Sequence, residues 1–78
     1  MKEFQVLLTS INHVKSFVTA AAMCSCEIDV ISGRYVIDAK SIMGLFSIDL
    51  SKPITVRVLG TEQEADEFYR AVKSTVCE

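Results

Sequence analysis

Residues 26–40 limit the possible folds more than any other stretch. Cys26, Ile28 and Val30 alternate with Glu27 and Asp29, and after Ser32-Gly33 the residues Tyr35, Ile37 and Ala39 take one side of a second run. Arg34, Asp38 and Lys40 fall largely on the other side. A period of two marks a strand buried on one face. Gly33 supplies the turn, because glycine accepts the positive φ that hairpin connections need. The segment therefore reads as an antiparallel hairpin with one apolar face that other elements must cover.

The covering elements are legible on both sides of it. Residues 3–9 place Phe4, Val6 and Leu8 on one face of a first strand. Ser10 and Asn12 are both good N-cap residues. Ile11, Val14, Val18 and Ala21, with Phe17 beside them, then predict an amphipathic helix over about 12–23. Ser41 can cap a short helix through about residue 48, and Pro53 closes the next loop. Ile54, Val56 and Val58 alternate with Thr55 and Arg57 as a fourth strand, which Gly60 breaks. Thr61-Glu62-Gln63-Glu64 is a capping box, opening a last helix whose buried stripe is Ala65, Phe68, Val72 and Val76. Its acidic residues come early and Arg70 and Lys73 late, as the helix dipole prefers. The order is βαββαβα, a two-layer sandwich. Glu27, Asp29, Arg34, Asp38, Lys40 and Arg57 suit a solvated outer sheet face.

Composition narrows the function. Seventy-eight residues make one domain, 1–78, and half of them are hydrophobic, so the chain can fold alone. No apolar run approaches the ~18 residues of a membrane span, and the start does not resemble a signal peptide. The net charge of −2 comes from mixed, scattered charges. Nucleic acid is thereby disfavoured as a partner, since phosphate neutralisation needs clustered Lys and Arg. Cys24, Cys26 and Cys77 are odd in number and include a close Cys-x-Cys, unlike a disulfide framework. With His13 they make a poor zinc set, because structural sites usually separate paired cysteines by two or more residues. Small thiols in a reducing, cytoplasmic compartment are the reading adopted, with no metal.

Residues 41–48 carry more apolar residues than a short helix on a sheet can bury. If Leu45 and Ile48 face the sheet, Ile42, Met43 and Phe46 are at least partly exposed. A cluster of this kind marks a docking surface, unless neighbouring helices cover it.

Lys40-Ser41-Ile42-Met43-Gly44 resembles the signature of the histidine-containing phosphocarrier protein (HPr) family of the bacterial sugar phosphotransferase system. The element order, the glycine hairpin before the motif and the length are similar too. The resemblance implies an α+β open-faced sandwich, a four-stranded antiparallel sheet with three helices on one face. It implies protein partners: enzyme I, sugar-specific components, and a serine kinase or transcription regulator. It implies no cofactor and no catalysis beyond a transferase-system component.

Two phosphorylation sites follow from the resemblance. The regulatory serine that opens the short helix matches Ser41, where phosphate would meet helix amides and set negative charge beside Ile42, Met43 and Phe46. The family's catalytic histidine lies in Gly-Ile-His-Ala-Arg-Pro at the start of the first helix. Here the segment is Ser10-Ile11-Asn12-His13-Val14-Lys15. In one register His13 takes the histidine position and Lys15 the arginine, with Asn12 inserted. In the other, counted back from the Cys26–Ile31 strand, Ser10 takes the histidine position, Asn12 the arginine and His13 the proline. The motif's glycine, arginine and proline are missing in both. Lysine lacks the planar two-point grip of arginine on phosphate. The expectation is a divergent member that binds partners through the 41–48 helix. The alternative is a working carrier that passes phosphate from enzyme I through His13 to a sugar-specific component.

Overall fold

A computed structural model describes residues 2–77. The hairpin lies where the alternation puts it, as β2 (Glu27–Ser32) and β3 (Tyr35–Asp38), joined by Gly33-Arg34. Gly33 has φ +60° and, among the described residues, no non-glycine has positive φ, the pattern of a type II′ turn. β1 (Lys2–Val6) and β4 (Ile54–Leu59) complete the four-stranded antiparallel sheet, with β4 between β1 and β2.

A fifth strand, β5 (Val76–Cys77), pairs with β1 and gives the order β3-β2-β4-β1-β5. This corrects the sequence reading of Val76 as part of the last helix. Helix α3 runs Glu62–Ala71 and passes into a single 3-10 turn, Lys73–Thr75. Thr75 donates its amide (2.9 Å) and its hydroxyl (2.7 Å) to the carbonyl of Val72. Its own carbonyl accepts from Leu7 N–H at 2.8 Å, which leads the chain out along β1.

Helix α1 (Ile11–Met23) and the short α2 (Ile42–Phe46) join α3 on one face of the sheet. The core lies between the layers, with Val6, Ile28, Val30, Ile54, Val56 and Val58 buried from the sheet side. Val14, Phe17, Ala21, Leu45, Ala65 and Phe68 meet them from the helices. Phe68 stacks edge-on with Phe17, ring centroids 5.5 Å apart, and lies 6.3 Å from Phe4. At the edge of that cluster Lys2 reaches Asp66 at 3.2 Å and covers the Tyr69 ring at 4.7 Å, tying β1 to α3. On the open face Arg57 donates to Glu3 at 2.7 Å.

The capping box is formed. Glu64 N–H donates to Thr61 Oγ1, and Glu64 Oε1 accepts from Thr61 N–H at 2.9 Å. Glu64 Oε2 also accepts from the Ser25 hydroxyl at 2.6 Å, linking the exit of α1 to the start of α3. The Ser25 hydroxyl foremost, then the Thr61 amide and hydroxyl, hold the Glu64 carboxyl below its ordinary range. A depressed folded pKa gives stability above the unfolded value that is lost as pH falls through the folded one. Urea midpoints of the wild type should therefore fall below about pH 4.3, the ordinary Glu value. Glu64→Gln should flatten that limb, and an identical acid limb in the variant would show that the contact contributes nothing.

Candidate functional site

The loop before α1 and the short helix α2 converge at one end of the helical layer. Ser10 is the N-cap of α1, its hydroxyl accepting from His13 N–H at 3.2 Å. Of the two N-cap residues expected from sequence, the fold uses Ser10, so the helix starts at Ile11 and not at 12. His13 is the third helical residue. Its ring turns back toward the loop, with Nδ1 3.3 Å from Thr9 N and 3.0 Å from Thr9 Oγ1. An amide N–H can only donate, so in this contact Nδ1 is the acceptor. The Nδ1 lone pair of His13 is thus engaged by the loop. Lys15 is exposed and two residues on, across the helix from His13.

Ser41 is the N-cap of α2, exposed, with its hydroxyl accepting from Gly44 N–H at 3.2 Å. The helix ends at Phe46, short of the expected residue 48, because the Ser47 hydroxyl donates to the Gly44 carbonyl at 2.6 Å. Gly44 lets α2 sit down on β3: a Cβ there would lie 2.6 Å from Ile37 Cγ2. That close seat turns Leu45 fully inward. Met43 is left 79% exposed and Phe46 48%, while Ile42 is half-buried against the core.

Sequence reasoning missed Ile11. It was expected in the buried stripe of α1, yet it is 61% exposed. As the first residue of the helix it projects beyond the layer that α1 packs against, and its place next to a strong N-cap was the available signal. An open groove of about 500 Å³ separates the two elements, with Thr9, Ser10 and Ile11 on one wall and Phe46 and Leu50 on the other. The polar helix-start loop and the apolar exposed side of α2 therefore share one continuous surface. The cysteines lie elsewhere, Cys26 buried and Cys24 and Cys77 half-buried, all as free thiols. Burial, foremost, pushes the Cys24 thiol up. Among the described residues no helix is long and apolar enough to cross a membrane.

An α+β open-faced sandwich with a capped helix-start loop beside an exposed apolar helix is the class defined by these features. The family model for the PTS HPr component phosphorylation site matches residues 11–77. The chain belongs to the HPr family of the phosphotransferase system. Among solved structures it is similar to HPr-C-His from Thermoanaerobacter tengcongensis, with a TM-score of 0.76 and 24% identity over 95% of this chain and 93% of that one. A phosphocarrier protein HPr from Bacillus anthracis gives a TM-score of 0.72 and 28% identity over 97% and 94%. A mycoplasma histidine-containing phosphocarrier protein gives 0.75 and 22% over 94% and 89%. No curated protein matches the chain significantly. The expected family and fold are borne out, with β5 added to the sheet.

Proposed function

We propose that this protein is a binding and regulatory member of the HPr family rather than a phosphate carrier. Its working surface is Met43 and Phe46 of α2, flanked by Ile42 and extended across the groove by Ile11, and it is controlled by phosphorylation of Ser41. The observation that carries this reading is the engagement of His13 Nδ1 by Thr9. A phosphate acceptor must offer a free lone pair, and the free amides of a helix start should hold the incoming phosphate. At this helix start stands Ser10, an alcohol whose oxygen accepts from His13 N–H as the helix cap, and Lys15 lies across the helix from His13. The partners are proteins of the phosphotransferase system, met in the cytoplasm as a single domain: enzyme I, sugar-specific components, the serine kinase or a transcription regulator. Transfer from ATP to the Ser41 hydroxyl would release ADP and the hydroxyl proton, and place about −2 of charge next to Met43.

Two incubations read by intact mass test it. With phosphoenolpyruvate and enzyme I, no mass gain is expected. An acid-labile gain lost in His13→Ala would overturn the proposal in favour of the carrier. With ATP and the family's serine kinase, one acid-stable phosphoryl group is expected, and a gain that persists in Ser41→Ala refutes that assignment.

A further inference from the structure

Among the described residues the sheet ends on one side at β3 with no strand beyond it, although the Asp38 carbonyl accepts from Ser41 N–H at 3.0 Å and its Oδ1 from Lys40 N–H at 2.9 Å. This is the long edge of the sheet, because the other side closes on the two-residue β5. Natural edge strands are usually blunted by proline, lysine or a bulge. Tyr35-Val36-Ile37-Asp38 carries no proline or lysine, and Tyr35 and Val36 are 65% and 62% exposed.

The direction of its free backbone groups follows from the turn. A two-residue connection makes Ser32 and Tyr35 the closing hydrogen-bonded pair, so Val30 and Ile37 form the next one. Ala39 N–H donates to Ile28 O at 2.9 Å, as that alternation requires. The amides of residues between these pairs, Val36 and Asp38, therefore point outward, away from β2. An incoming antiparallel strand must respect this parity.

We infer that β3 pairs antiparallel with β3 of a second copy of this chain about a two-fold axis through Val36, joining the two sheets. In this register Val36 exchanges both hydrogen bonds with its symmetry mate, and Arg34 stands opposite Asp38 of the other copy, twice. Neither side chain forms an ion pair within the chain among the described residues. Val36 and Asp38 share the open face of the sheet and Arg34 precedes them in the turn, so opposite charges stand at both ends of the paired stretch. On the helical face Tyr35 meets Ile37 of the other copy, an aromatic against a β-branched residue. Only this register satisfies the outward parity and matches positive to negative at both ends. The contact is small, so it forms at high protein concentration.

Sedimentation equilibrium across a wide concentration range reads the association directly. The wild type should rise from one chain mass toward two. Val36→Pro removes an outward amide that the hairpin does not use and should hold the mass at one chain, with an unchanged circular dichroism spectrum. Arg34→Asp and Asp38→Arg should each weaken self-association about tenfold or more, since each is met twice. An equimolar mixture of the two restores both opposite-charge pairs and should associate as the wild type does. A wild type that stays at one chain mass overturns the inference. So does association that survives Val36→Pro, or a mixture no better than its components.

Discussion

Phe68→Ala is expected to cost about 3–5 kcal/mol of unfolding free energy, the usual loss for truncating a buried phenylalanine. The ring is 1% exposed and joins three elements, since it touches Phe17 on α1 and Phe4 on β1 from its own place on α3. Collapse of the neighbours cannot fill the hole, because Phe4 is also held edge-on by Tyr69 at 5.0 Å. A domain of this size has roughly 4–12 kcal/mol in total. The melting temperature should fall by ~12–40 °C, and urea denaturation should place the variant near or past its midpoint in dilute urea. A loss under about 1 kcal/mol would show that the aromatic cluster is not what joins the layers.

Phe46→Asp is expected to leave the fold standing and to remove partner binding. Half of the Phe46 surface already faces solvent, so the substitution buries no new charge, and Leu45 keeps α2 anchored. An aromatic at the centre of an interface commonly contributes about 2 kcal/mol or more, so titration against enzyme I or the family's transcription regulator should weaken ~30-fold or further. Unchanged affinity with a native circular dichroism spectrum would move the docking surface away from α2. Loss of folding would instead make Phe46 a core residue.

Elements whose signal is local were legible from sequence, and those set by distant contacts were not. The hairpin carries its own period and its own glycine, and the capping box closes within four residues, so both lie where the pattern puts them. The end of α3 is different. Val72 and Val76 continue a helical spacing, and no glycine or proline interrupts it. What stops the helix is Thr75, through bonds to Val72 and to Leu7 at the far end of the sequence. The same limit applies to the site. Ser41, Met43 and Phe46 could be placed on one short helix from spacing alone. That His13 would turn back onto Thr9, and that Ile11 would face Phe46 across a groove, depends on where Ser10 starts the helix. Two cap residues two positions apart left that open.

The place of β4 has a consequence for how the chain comes together. β1 and β2 share no border; each is paired to β4, which lies at residues 54–59. While the first fifty residues leave the ribosome, only the β2–β3 hairpin has its partner in hand. β1 must wait for a strand some fifty positions later, a pairing that closes a long loop and is slow for that reason. The joining of β1 to the hairpin through β4 is thus a late event, and until it occurs the apolar faces of β1, α1 and the hairpin are open to chaperones and to one another.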